Sequence, residues 1–156
     1  MATLGVEVKG EYAFPMIDLA AQAPIKAPTL DDMQAMAQRA FAQIPGALSA
    51  HVDGVVMRVV EFPDADIERE MGLESPFDLL GLYSGVALGD KSVSAAPQDV
   101  DMIFLYRRPI LDYWCETGED LQHLIRHVLI HEIGHHFGLS DADMDAIEAA
   151  ADEIVL

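Results

Sequence analysis

Residues 131–141 read HEIGHHFGLSD, and this stretch decides how the rest of the chain is interpreted. Residues four apart on a helix share a face, so the side chains of His131 and His135 can bind one metal ion while Glu132 stands beside it. Neutral imidazole suits Zn²⁺, and three protein ligands leave a fourth position for a water molecule whose pKa the metal lowers to about 7. Glu132 would take the proton of that water. The stretch therefore predicts a helix that carries a zinc-hydrolase site.

The third ligand is expected from the segment that follows this helix. Gly138 can adopt the positive φ that ends a helix and turns the chain, which lets Asp141 swing back toward the metal. An Asp in the first turn of a helix is also favoured by the helix dipole, so Asp141 has a capping interpretation that needs no metal. We favour ligation by Asp141 because of its offset from His135. Glu148, in the next predicted helix, is the second choice.

Other histidines lie close to the motif. His123 and His127 continue the ridge of residues four apart, but a helix rises about 6 Å every four residues, so only His127 can approach the edge of a site at His131. The simpler interpretation makes both of them solvated or hydrogen bonded to the backbone. His136 points about 100° away from His135 and is not expected to share its metal.

The composition of the chain argues against several classes of protein. A chain of 156 residues, half of them apolar, is most simply one domain with one core. Its net charge of −18 argues against a nucleic-acid surface, since phosphate binding depends on Lys and Arg, and an anionic membrane surface would repel it. Cys115 is the only cysteine, which favours a reducing compartment. With no secretory signal pattern and no apolar run near the roughly 18 residues of a membrane span, we expect a cytoplasmic protein.

Turn residues and periodicity divide the chain into an extended, proline-containing N-terminal arm at residues 1–28 and a domain at residues 29–156. Apolar spacing and capping patterns predict helices at residues 29–44, 64–71, 110–115, 121–137 and 140–154. Apolar and β-branched runs predict strands at residues 55–62, 82–88 and 101–106. This order predicts an α+β fold, in which a small mixed sheet of about three strands packs on the central motif helix.

Two features at the ends of strands carry expectations of their own. Gly85 lies inside a predicted strand, where glycine marks either the close approach of another backbone or a bulge. Arg107 and Arg108 follow the third strand, and we expect them to pair with carboxylates of the protein rather than to hold a substrate carboxylate.

Residues 131–141 resemble the H-E-x-x-H-x-x-G-x-x-H/D signature of the metzincin branch of zincin metallopeptidases. Residues 77–85, 103–110 and 131–138 together resemble a small bacterial zincin-like family of minimal zinc metallopeptidases whose substrates are unknown. The likeness spans roughly residues 30–150. It implies a compact zincin core with a single zinc site.

By motif match, the resemblance places the zinc ion on His131, His135 and Asp141, with Glu132 as the general base. Ordinary metzincins have a methionine-containing turn beneath the metal, well downstream of the third ligand. Here Met144 is the only methionine after Asp141, and it lies in a predicted helix. We therefore expect no such turn and place Met144 in the core.

Three functions fit these features. The leading hypothesis is a zinc metallopeptidase whose extended peptide or protein substrate pairs with the edge of the strand at residues 82–88, with cationic peptides favoured by the acidic surface. One alternative is a catalytically silent protein that keeps the zincin fold to bind a partner. The other is a different zinc hydrolase, such as an endoribonuclease, which Glu132 and the net charge both disfavour.

Overall fold

The structure, a computed structural model, describes residues 26–85 and 100–155. Within those ranges the chain forms six α-helices, two short 3-10 segments and three strands. The helices are α1 (Leu30–Ala42), α2 (Gly46–Ser49), α3 (Ala65–Met71), α4 (Arg107–Thr117), α5 (Leu121–His136) and α6 (Asp141–Val155). The strands are β1 (Val56–Val60), β2 (Gly81–Ser84) and β3 (Met102–Tyr106). The expected α+β class is confirmed. In the described part of the chain, no helix combines the length and apolarity needed to cross a membrane.

The strands form one mixed sheet, as predicted, and its strand order is β1-β3-β2. β1 runs parallel to β3, with Val56 opposite Met102. β2 runs antiparallel to β3, with Gly81 opposite Leu105. β2 is therefore an edge strand, and its other side pairs with no strand among the residues described.

Helix α5, which carries the motif, lies at the centre of the fold. It packs against α1, α4, α6, β2 and β3. Its apolar side chains supply much of the core, and the most deeply buried are Leu124, Ile125, Leu129, Ile130 and Ile133. A helix that is apolar around most of its circumference must be covered on several sides, and the predicted central position is confirmed.

The helix starts follow the capping patterns, with one correction. Thr29 and Asp32 form the predicted capping box at α1: the Asp32 amide donates to Thr29 Oγ1 at 3.1 Å, and the Thr29 amide donates to Asp32 Oδ2 at 2.8 Å. Helix α5 begins at Leu121 as predicted, but its cap is Asp120, which accepts a hydrogen bond from the His123 amide at 2.8 Å. The T-x-x-D pattern from Thr117 to Asp120 predicts a cap at Thr117, but Thr117 ends α4 instead.

The predicted start of α4 at Ile110 is wrong, because the helix begins at Arg107. Pro109, which the sequence places between the third strand and this helix, is the third residue of the helix, where backbone N–H groups have no intrahelical acceptor and the missing donor costs nothing. β1 is shorter than the predicted strand at residues 55–62. Two predictions lie outside the described residues: the end of β2 at residues 86–88, and residues 1–25 of the N-terminal arm.

The adjacent arginines pair within the protein, as expected. Arg107 Nη1 donates to Glu61 Oε2 at 3.1 Å, and Arg107 Nε donates to the Pro28 carbonyl at 2.7 Å. Arg108 Nε lies 3.6 Å from the same Glu61 carboxylate. These contacts connect the start of α4 to the segments that follow β1 and precede α1.

Candidate metal centre

The end of α5 and the start of α6 are held together by close backbone packing. Gly138 has φ 72°, and the Leu139 amide donates to the Gly134 carbonyl at 2.9 Å, so the chain turns where the sequence predicts. Met144 of α6 is fully buried, as expected, and packs on Gly134. A Cβ built on Gly134 would lie 2.8 Å from Met144 Cγ, so the missing side chain lets α6 approach α5 closely.

The structure brings the two motif histidines onto one face of α5. The ring centroids of His131 and His135 lie 5.7 Å apart. Burial, and next the neighbouring His127, lowers the pKa of His131 below its ordinary 6.5, which keeps its ring in the neutral form that binds metals. His131 Nε2 is buried and finds no hydrogen-bond partner in the described chain. An unpartnered buried nitrogen is the atom that a bound cation would satisfy.

Asp141 lies at the first position of α6 and is exposed. The bonds that cap this helix are made by its neighbours: Asp143 Oδ2 accepts from the Ser140 amide at 3.0 Å, and Ser140 Oγ accepts from the Asp143 amide at 3.2 Å. Capping therefore does not require the Asp141 carboxylate. The negative charge of Asp141 opposes the lowering of the His131 pKa. Asp141 therefore lies within electrostatic range of the His131 ring.

Glu132 is held against the edge strand. Its carboxylate accepts a hydrogen bond from the backbone N–H of Tyr83 in β2. Burial raises the pKa of Glu132 from its ordinary 4.5 to about 7, and the Tyr83 amide opposes this shift only in part. A carboxyl group with a pKa near neutrality can both accept and return a proton at that pH, which is what a general base that later acts as an acid requires.

Gly81 allows β2 to lie so close to α5. A Cβ built on Gly81 would lie 2.9 Å from Val128 Cγ1, 3.1 Å from the Phe104 carbonyl oxygen and 3.3 Å from Glu132 Cγ. A side chain there would push the strand away from the helix. Sequence reasoning missed both Gly81 and the amide of Tyr83, because their role depends on which strand packs beside Glu132.

Tyr83 also fixes the end of β2. Its ring stacks on that of His136, with centroids 3.8 Å apart. The Tyr83 hydroxyl donates to Asp101 Oδ2 at 2.9 Å. Gly85 lies just past the end of β2, and a Cβ built on it would lie 2.7 Å from Asp101 Cγ, so its close neighbour is a side chain and not the backbone that was expected. The position of Tyr83, and with it the amide that binds Glu132, is therefore determined by contacts on two sides.

A second group of candidate ligands lies one helical turn along α5. Donor atoms of His127, His131 and Glu148 lie within 4.8 Å of one another, whereas His131, His135 and Asp141 do not form such a group among the described residues. The simpler interpretation of His127 is wrong, because its Nδ1 lies 2.5 Å from Glu148 Oε1 rather than in solvent or on the backbone. Glu148 is the ligand that sequence reasoning ranked second. His123 is exposed on the preceding turn, as expected.

A helix that presents two histidines and a largely buried glutamate with a raised pKa, followed by a carboxylate on the next turn, carries residue types found in metal-dependent hydrolases. The family comparison agrees with this class. The chain belongs to the zincin-like metallopeptidase family, whose model matches residues 52–151, from the residues before β1 to α6. No curated protein is significantly similar to the chain in sequence. The family implies that zinc is the metal, and neutral imidazole and carboxylate ligands fit it.

Proposed function

We propose that this protein is a zinc-dependent peptidase, in which His131, His135 and Asp141 hold one zinc ion and Glu132 is the catalytic base. One observation carries the proposal: Glu132 is buried beside His131, with a pKa of about 7, against the backbone of an edge strand. Burial alone would favour a protonated structural glutamate, so the raised pKa supports a catalytic role only together with the neighbouring His131 and the open edge of β2. A general base for water attack needs a carboxyl group whose pKa lies near neutrality, as that of Glu132 does.

The zinc ion, Glu132 and the Tyr83 amide have different roles in the proposed reaction. When bound, zinc would polarise the scissile carbonyl and lower the pKa of a water molecule at the site toward about 7. Glu132 accepts a proton from that water and delivers it to the leaving amine as the peptide bond breaks. The Tyr83 amide keeps the carboxylate in place through both transfers.

The substrate is an extended peptide that pairs with the open edge of β2. The Tyr83 amide points to Glu132 rather than into the hydrogen bonds with β3, so the open edge of the strand passes the base. A peptide added to that edge would gain backbone hydrogen bonds and place its carbonyl groups beside the site. The net charge of −18 favours cationic peptides.

The test compares the wild type with Glu132→Gln on a peptide library that includes cationic sequences. We expect the wild type to cleave peptides in a zinc-dependent way, and the variant to keep its zinc while hydrolysis falls by about 10²- to 10⁴-fold. Equal turnover in the two proteins would refute the role of Glu132. If the zinc-loaded wild type cleaves nothing, the chain is instead a catalytically silent member of the family that binds a partner.

A further inference from the structure

A histidine ridge runs along α5 beyond the residues assigned to catalysis. His127, His131 and His135 follow one another at intervals of four residues, and Glu148 of α6 faces the first two. The ring centroids of His127 and His131 lie 4.1 Å apart. Glu148 Oε1 lies 2.5 Å from His127 Nδ1, and Glu148 Oε2 lies 4.0 Å from His131 Nε2.

We propose that His127, His131 and Glu148 form an alternative divalent-cation site, called here the upstream site, which competes with the catalytic set for His131. The inference goes beyond the proposed function and does not require that any peptide be cleaved.

The spacing of the donor atoms suits a small divalent cation. Bonds of about 2.0–2.1 Å in a tetrahedral zinc site put neighbouring donors roughly 3.3 Å apart. The separations of 2.5 Å and 4.0 Å from Glu148 to the two imidazoles lie on either side of that value. Small rotations of these side chains would therefore bring all three donors to bonding distance.

The burial of the donors gives a second, independent indication. His131 Nε2 and Glu148 Oε1 are both buried, and neither has a partner with hydrogen-bond geometry among the residues described. The side chains of Glu148 and His131 are 17% and 23% exposed, and that of His127 is 43% exposed. A buried imidazole nitrogen whose nearest Glu148 oxygen lies 4.0 Å away is costly without a ligand, while the more exposed His127 leaves a path for a cation to enter.

The upstream site shares His131 with the catalytic set but not its other ligands. Its second histidine, His127, is followed by the buried Val128 rather than by a glutamate. A cation there would be held one turn further along α5, away from the other ligands of the catalytic set. The lone pair of His131 Nε2 can bind only one cation at a time. A cation at the upstream site would therefore prevent His131 from binding a cation in the catalytic set.

The test uses Co²⁺ titrations of the chelator-stripped protein, followed by the absorption of bound cobalt, so hydrolysis is not the readout. We expect His135→Gln to retain one Co²⁺ per chain through the upstream site. Adding His127→Gln or Glu148→Gln to that variant should weaken the remaining binding by at least about tenfold. His131→Gln should abolish binding at both sites.

His123→Gln is the matched control, because His123 lies on the same ridge but is exposed one turn further from the site. It should bind Co²⁺ as the wild type does, and circular dichroism establishes that every variant is folded. If His135→Gln binds no more cobalt than His131→Gln, or if its binding is unaffected by the added substitutions, the contact between His127 and Glu148 is an ion pair only and the proposal is overturned. Failure here leaves wild-type hydrolysis untouched, so the proposed function is judged separately.

Discussion

At the residue scale, the site depends on carboxyl groups whose surroundings differ sharply. Asp143 is exposed, and hydrogen bonds from Ser140 lower the pKa of its carboxyl below the ordinary 3.8. Burial instead raises the pKa of Glu132 to about 7. The first carboxylate is charged and caps a helix, while the second exchanges its proton near neutrality. Environment, and not residue type, assigns the two roles.

The raised pKa of Glu132 predicts a pH-dependent stability in the metal-free protein. Between its unfolded pKa near 4.5 and its folded pKa of about 7, the folded state binds more protons, so the free energy of unfolding falls as the pH rises through that window. Relative to Glu132→Gln, whose amide does not titrate, the wild type should lose about 2 kcal/mol between pH 4.5 and pH 8, a value reduced to allow for solvent screening.

Urea unfolding of the chelated proteins at pH 4.5 and pH 8 measures this difference. Glu153→Gln, which replaces an exposed carboxylate of α6, is the control and should follow the wild type at both pH values. A constant difference between wild type and Glu132→Gln across the range would mean that Glu132 is not held in a buried environment.

At the element scale, the contact of β2 with α5 requires a glycine. Gly81→Ala would place a Cβ 2.9 Å from Val128 Cγ1 and 3.1 Å from a backbone oxygen, which cannot move easily. We expect a loss of about 1–3 kcal/mol in the free energy of unfolding. Gly46→Ala is the matched control because a Cβ there meets nothing within 4 Å, and its effect should stay within about 0.5 kcal/mol. Equal stability of the two variants in urea would contradict the close packing of β2.

The contact of α6 with α5 includes an ion pair as well as Met144. Arg126 is only 6% exposed and pairs with Asp152, whose side chain is 54% exposed. Asp152→Asn leaves the buried guanidinium without its countercharge, and the cost, reduced because Asp152 is half in solvent, should be about 1–2 kcal/mol. Asp145→Asn, at an exposed position of the same helix, serves as the control in thermal unfolding. If both substitutions lower the melting temperature equally, the pair does not stabilise the packing of α6.

At the scale of the whole molecule, a bound cation should connect α5 to α6 and stabilise the folded chain. At a free zinc concentration 100 times the Kd, the free energy of unfolding should rise by about 2.7 kcal/mol. Glu132→Gln should show the same gain, because Glu132 is not a ligand. His131→Gln should show none. A zinc-dependent gain in His131→Gln equal to that of the wild type would place the binding elsewhere in the chain.

The sequence predicted the elements whose signals are local and left out the contacts that depend on packing. The capping box at Thr29, the start of α5 at Leu121 and the turn at Gly138 follow from neighbouring residues alone. The start of α4 was predicted wrongly at Pro109 because proline is compatible with a first helical turn as well as with a break. The approach of Glu148 to His127 depends on the rotation of α6, which is set by packing at Gly134, and periodicity cannot supply that rotation.

The central claim is that His131, His135 and Asp141 converge on one zinc ion beside Glu132. Anomalous diffraction at the zinc absorption edge, from crystals of the zinc-loaded protein, tests it most directly. The account predicts an anomalous peak at roughly 2.0–2.2 Å from a nitrogen of each histidine and an oxygen of Asp141. Diffraction data with no peak bonded to His135 and Asp141 would contradict it.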